Sequence, residues 1–339
     1  MNQIPEKNKK EGVCYAFTDD GLELPVIDIT HPAFAFEMND AKLNELIDTF
    51  ARSAATLPPA ALQAAAQKSI LVRGFVESAG TFTTGMMTYL NKLEPENLGD
   101  GYAGPLDRVW AVSLSPVTFR WRMRHVARLL ADGLCKALAA RPNAPVQLIN
   151  IAGGPSIDSL NALILLQKEN PAQLSGRQIY VHVFDLDAEG PHFGERALQA
   201  LMADGAPLHG LQACFDYIPY NWSQPALLQE YVARLDLGHA AVAGSSEGGL
   251  FEYASDDDII ANLLVLRAAT PSDCVLVGPV VRNAQTLDPR LKDSENLAGR
   301  PAIRYIGLEA FEKLANQAGW CIDRHLDGPM HQVVSLKQI

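Results

Sequence analysis

No stretch of the 339-residue sequence approaches the roughly 18–20 consecutive apolar residues of a membrane-spanning helix, so no membrane partner is expected. Residues 1–12 are polar and carry no apolar signal-peptide segment. The five cysteines (Cys14, Cys135, Cys214, Cys274 and Cys321) are odd in number, scattered, and never spaced as C-x-x-C. They read as reduced thiols of a cytoplasmic protein. Positive charge is scarce: 28 Lys and Arg stand against 39 Asp and Glu, a net charge of −11. Nucleic acid and anionic lipid both demand a concentrated positive field, so neither is an expected partner. The eight histidines form no H-E-x-x-H, and no metal site is expected. Internal repeats and low-complexity segments are missing too. What is present is a globular composition, with 48% apolar and 20% charged residues. A chain of this length buries a large core and has room for about two domains.

Three stretches follow from the patterning. Residues 1–12 read as a frayed tail. Residues 13–145 read as a mostly helical cap. Asn39 or Asp40 can cap a helix whose apolar positions Leu43, Leu46, Ile47, Phe50 and Ala51 share one face. An Ala-rich helix is expected to about Leu71, and Ser115-Pro116 opens a long helix to about Ala140. Arg141–Pro145 breaks it and marks the domain boundary. From Val146 to Ile339 short β-rich runs alternate with helical ones. Strands are expected at 146–152, 179–184, 211–218, 240–244 and 274–281, with two antiparallel strands at 321–325 and 332–336. Helices are expected at 157–169, 194–203, 224–235, 256–268 and 308–318. That alternation predicts an α/β fold with a mostly parallel sheet covered on both faces, whose ligands bind at the carboxyl ends of the strands.

Three strand ends carry candidate chemistry. The first runs Asn150-Ile151-Ala152-Gly153-Gly154-Pro155-Ser156, where a glycine pair admits close backbone approach. It is not G-x-G-x-x-G, so the dinucleotide fingerprint is missing. The second ends Phe184-Asp185-Leu186-Asp187; Asp185 directly follows the apolar run and is placed to accept ribose hydroxyls. The third is followed by Tyr220-Asn221-Trp222, an amide to read a base edge beside an apolar ring.

Taken in order, these sites resemble the class I S-adenosylmethionine (SAM)-dependent methyltransferases, and the resemblance spans residues 146–339. It implies a Rossmann-like seven-stranded sheet with the seventh strand inserted antiparallel, an N-terminal helical cap, and SAM as cosubstrate. Carried over by position, Asn150, Ala152, Gly153, Gly154 and Pro155 correspond to the glycine-rich motif under the methionine part. Asp185 and Leu186 correspond to the ribose end, Asn221 and Trp222 to the adenine end. The stretch Gly244–Tyr253, with Ser245, Ser246 and Glu247, matches the region where methyl and acceptor meet. The implied reaction is methyl transfer to a small molecule, with Glu247, Tyr89 or Ser246 as candidate catalytic groups. In size and cap the chain also resembles azetidine-2-carboxylate synthases of this fold, in which SAM cyclises on itself. A non-catalytic SAM-binding subunit is a further reading. Oligomeric state stays open, a homodimer included.

Two other patterns compete. Gly244-Ser245-Ser246-Glu247-Gly248 satisfies G-x-S-x-G, and Asp273 with His325 or His331 completes a Ser-Asp-His order. The glycines after Ser246 argue against a nucleophile elbow. Arg120, Arg124 and Arg128 lie within about 80° on one helix face and read as a solvated basic surface. Tyr15, Phe17, Phe82, Tyr89 and Tyr102 are candidates to close over a sulfonium.

Overall fold

The computed structural model describes residues 4–56, 59–77, 83–291 and 303–339. The N-terminal part opens on an antiparallel hairpin, β1 (Tyr15–Phe17) and β2 (Glu23–Pro25). Six helices follow: α1 (Asp40–Thr56), α2 (Pro59–Ala66), α3 (Ile70–Glu77), α4 (Gly85–Lys92), α5 (Pro105–Ala111) and α6 (Leu114–Ala140). Strands of three residues carry no legible alternation, which is why the hairpin escapes a reading by periodicity. The Ala-rich stretch is two helices rather than one. Ser69 divides them, its hydroxyl accepting from the Val72 N–H (3.0 Å) and donating to Asp107 (2.7 Å). Nor are residues 4–12 frayed. The Ile4 N–H donates to Glu23 Oε2 (2.8 Å), and the Lys9 ammonium pairs with the same carboxylate (3.0 Å).

The remainder runs β3 (Val146–Ile151), α7 (Ile157–Glu169), α8 (Pro171–Leu174), β4 (Gln178–Asp185), α9 (Glu189–Met202), β5 (Gln212–Pro219), α10 (Pro225–Val232), β6 (Ala241–Ser245), α11 (Leu250–Tyr253), α12 (Asp256–Ala269), β7 (Val275–Val281), α13 (Gly307–Gln317), β8 (Trp320–Asp327) and β9 (His331–Gln338). One sheet results, in the order β5-β4-β3-β6-β7-β9-β8. Its first five strands are parallel, and β9 is antiparallel to both neighbours.

Both sheet faces are apolar, so β3 is buried along its whole length. Val146 and Leu148 face one way, into a core shared with α6, α7 and α9. Ile149 and Ile151 face the other way, onto α10, α12 and α13. Helix α6 therefore covers the sheet itself: Met123, Val126, Leu130, Leu134 and Leu138 pack in the same core as Val181. The break at Arg141–Pro145 interrupts a helix, and the core continues across it. Among the described residues no helix is long and apolar enough to cross a membrane. The register puts the ends of β3, β4, β6 and β7 and the start of β9 on one edge of the sheet.

Candidate cofactor and substrate site at the strand tips

The turn after β3 places Ala152 (φ 56°), Gly154 (φ 57°) and Ser156 (φ 54°) in the left-handed region. Such conformations cost a non-glycine residue about 1 kcal/mol or more. The Gly154 N–H donates to Asp185 Oδ2 (2.9 Å), which ties this turn to the tip of β4. A Cβ on Gly154 would lie 2.6 Å from the Gly85 Cα, and one on Gly190 would lie 2.9 Å from the Gly154 Cα. The first turns of α4 and α9 thus both rest on the glycine turn. The cap reaches the site through α4.

Asp185 also accepts from the Asp187 N–H through Oδ1 (3.0 Å). Burial pushes its carboxyl up from the usual range, and these backbone donors pull part of the way back. Leu186, next in sequence, is 68% exposed, a lone apolar side chain at a strand tip. Asn221 is exposed beyond β5, its side-chain oxygen accepting from the Ser223 N–H (3.0 Å). Trp222 packs partly buried on the α10–α12 side, and its carbonyl accepts from Asn262 (2.8 Å).

Beneath the turn lies a buried polar chain. Asn150 donates to Asp158 Oδ1 (3.1 Å) and to Ser245 Oγ (3.0 Å), while its own oxygen finds no partner among the described residues. Burial first, and the Glu247 charge second, raise Asp158 to about 6; Ser245 and Lys92 oppose the rise. Glu247 is enclosed by two cations, Lys92 of α4 and Arg122 of α6, the latter at 2.6 Å. Arg122 also grips Glu252 (3.0 Å), and Glu252 meets His331 (3.2 Å) at the start of β9. Burial works against the Glu252 charge, yet Arg122 and His331 hold its carboxyl below the usual range. Breaking one partner of such a buried pair typically costs about 3–5 kcal/mol. His331, Arg122, Trp121 and His125 line a narrow crevice between α6 and the β8–β9 turn. The His125 Nδ1 is buried there without a partner among the described residues.

The candidate catalytic groups have settings that their sequence did not announce. Glu247 is a doubly paired anion. The Ser246 hydroxyl accepts from the N–H of Leu250, the first residue of α11 (2.9 Å). Tyr89 is fully buried: its hydroxyl donates to the Pro25 carbonyl (2.6 Å) and accepts from the Ile27 N–H (3.1 Å). Its ring packs on Phe193, and burial raises its pKa well above the usual value. Tyr15 and Tyr102 line a separate cavity in the N-terminal part, Phe17 offers its carbonyl to Arg196, and Phe82 lies outside the described residues. No Ser-Asp-His triad forms: Asp273, just before β7, pairs with Arg141 at the opposite sheet edge, and His331 pairs with Glu252. The arginine face is not a solvated surface either. Arg120 is buried on the Pro116 and Ala111 carbonyls, Arg124 binds the Ile29 and Phe34 carbonyls, and Arg128 pairs with Asp132 and Glu169.

Lys92 and Arg122 carry no local signal, because each acquires its partner from distant sequence, and His331, named above for a triad, pairs with Glu252 instead. Arg122 and Glu247 are 125 residues apart. Among the described residues no three His, Cys, Asp or Glu side chains cluster as metal ligands do.

The sheet order, with its antiparallel strand set between β7 and β8, and the glycine turn on the β3 tip define the class I SAM-methyltransferase fold. No family model and no curated protein matches the chain. Among solved structures it is similar to a Bordetella parapertussis protein described as a possible exported protein. The identity is 17% and the TM-score 0.56, over 89% of this chain and 97% of that one. Mitomycin 7-O-methyltransferase MmcR matches at 14% identity and a TM-score of 0.40, over 90% of this chain and 77% of that one. A LepI complex with SAM matches at 16% identity and a TM-score of 0.39, over 61% of this chain. This chain spans about half of LepI, 46%.

Proposed function

We propose that the protein is a SAM-dependent transferase that moves the SAM methyl group to a small molecule. The observation that carries this reading is the glycine turn bonded to the acid of the neighbouring strand tip, Gly154 N–H to Asp185 at 2.9 Å, on this sheet. The residues present fit the cosubstrate. A carboxylate has about four lone-pair sites. Asp185 spends some of them on the backbone N–H groups of Gly154, Asp187 and Leu186, which leaves capacity for a ribose hydroxyl. Leu186 offers an apolar face to an adenine, with the Asn221 amide on the neighbouring strand tip to meet its edge. The unpartnered Asn150 oxygen under the turn is an acceptor suited to an ammonium group.

SAM bound there would supply a sulfonium methyl for in-line displacement. Such a step gains most from alignment of the reacting atoms at about 3–3.5 Å. The chain's own residues do the positioning. Lys92 and Arg122 fix the Glu247 loop against α4 and α6, and Ser245 joins that loop to Asn150. His331 of β9 lies on the same sheet edge, two strands from β6, or about 10 Å at the usual strand spacing, and its pairing with Glu252 braces Arg122 beside the Glu247 loop.

The test is incubation with SAM, with and without a panel of small phenols, acids and amines, read by mass spectrometry. The expected product is S-adenosylhomocysteine, formed only when an acceptor is supplied. Steady enzyme-dependent release of methylthioadenosine with azetidine-2-carboxylate, and no acceptor, would replace the reading by internal cyclisation. A calorimetric titration showing no SAM or S-adenosylhomocysteine binding would remove it altogether.

A further inference from the structure

We propose that the N-terminal part holds a second small-molecule site, a cavity that takes a small aromatic acid and is separate from the strand tips. The cavity measures about 560 Å³, within the range of sites that enclose a small organic ligand. Its floor is apolar, built from Pro25 and Leu98, both buried. Tyr15 and Tyr102 supply two rings to its wall, and planar ligands pack well on such faces.

The polar groups select the charge. The Tyr102 hydroxyl is buried beside the Gly99 backbone N–H, and its own O–H finds no acceptor among the described residues. A buried donor of that kind is stabilised by any ligand acceptor that reaches it. Lys10 uses its ammonium on Asn97 Oδ1 (2.6 Å), and no carboxylate among the described residues lies within ion-pair distance of it. An ammonium has three donors, so two remain. Arg108, by contrast, is already spent on the Pro95 and Leu98 carbonyls and on Asp100 (2.6 Å). The uncompensated positive charge in the cavity is therefore that of Lys10. Glu96 and Asp100 stand exposed at the rim, where solvent screens them.

The wall is also fixed in advance. Asn97, which holds Lys10, is itself pinned, donating to the Ala33 carbonyl (2.9 Å) and to Glu94 (2.7 Å). Fixed donors around an open space cost a ligand little reorganisation. The site is not the strand-tip site. None of the residues that line the cavity belongs to the strand tips: the lining runs from Ile4 to Pro25 and from Glu96 to Arg108.

The probe is 4-hydroxybenzoate, titrated into the full-length protein by calorimetry and by ligand-observed NMR. Saturable binding is expected, weakened about tenfold by Lys10→Met. Leu98→Trp, which fills the floor, should abolish it. Tyr102→Phe should weaken it several-fold and reports on the same cavity should the Leu98 variant misfold. Asp185→Ala should leave it unchanged, and S-adenosylhomocysteine should not compete. The proposal is overturned by no saturable binding up to about 10 mM, by equal affinity in the Lys10 variant, or by a preference for benzylamine. Loss of probe binding in Asp185→Ala with Lys10→Met unaffected would instead place the probe at the strand tips, and would equally overturn it.

Discussion

Asp158 carries a charge that its surroundings oppose. It is buried beside Asn150 and under the field of Glu247, and its folded pKa is pushed up to about 6. An unfolded Asp titrates near about 3.9, so the folded chain holds this proton more tightly. Its contribution is thus fully favourable below about pH 4 and is lost as pH rises through about 6. The loss is about 3 kcal/mol, two units at about 1.4 kcal/mol each. Asp158→Asn should flatten that part of the profile, so its stability relative to the parent should rise between pH 4 and pH 7. Urea denaturation at four pH values checks it; parallel profiles for parent and variant would refute the assignment. Asp185 stands on the neighbouring strand tip, tied to the same turn through the Gly154 N–H. Asp185→Ala should weaken S-adenosylhomocysteine at least tenfold in calorimetry, about 1.4 kcal/mol, and equal affinity would remove Asp185 from the ribose role. These two acids also show what a sequence can declare. Asp185 is legible because it directly follows an apolar run and so must stand at a strand tip. Asp158 reads as an ordinary first-turn helix acid, since the burial and the Glu247 charge that change it come from elsewhere in the chain.

At the scale of elements, most of the sheet half was legible, because the central strands β3, β6 and β7, buried on both faces, leave near-continuous apolar runs between turn residues. Helix α7 begins and ends at the expected residues, and β3 misses by one. Helix α9 starts at Glu189, five residues before the expected Gly194. Gly190, Pro191 and Gly194 look like breakers, yet a first turn tolerates proline. The glycines are needed for approach: a Cβ on Gly194 would meet the Pro155 carbonyl at 2.4 Å. The same logic governs the seating of α4. Gly85→Ala improves helix propensity but places a methyl 2.6 Å from the Gly154 Cα. The contact should prevail over the propensity, so this variant should lose thermal stability and bind S-adenosylhomocysteine more weakly. A variant as stable as the parent, with unchanged affinity, would show that α4 does not rest on the turn. Ser246, buried and accepting from the Leu250 N–H, should resist a fluorophosphonate probe; labelling at Ser246 would revive the hydrolase reading.

For the whole molecule, the break at Arg141–Pro145 suggests two independent halves, and the packing argues for one folding unit. Helix α6 lies before the break yet supplies Met123, Val126, Leu130, Leu134 and Leu138 to the core under the sheet. Exposing that face would uncover five large apolar side chains, each worth about 1.5–3 kcal/mol when buried. That is comparable with the whole stability of a domain. A chain cut at residue 145 should therefore fail to fold, showing no cooperative transition. A chain cut at Ser113 keeps α6 and Arg122 but loses Leu24, Phe34, Leu71, Tyr89 and Leu93 of the same core and the Lys92 contact to Glu247, so it should likewise show no cooperative transition. The intact protein should unfold in a single calorimetric transition, because the same core runs from Leu24 and Tyr89 through α6 to Val277 of β7. Two separated transitions, with a stable fragment from residue 145 onward, would restore the two-domain reading and leave α6 as a dispensable cover.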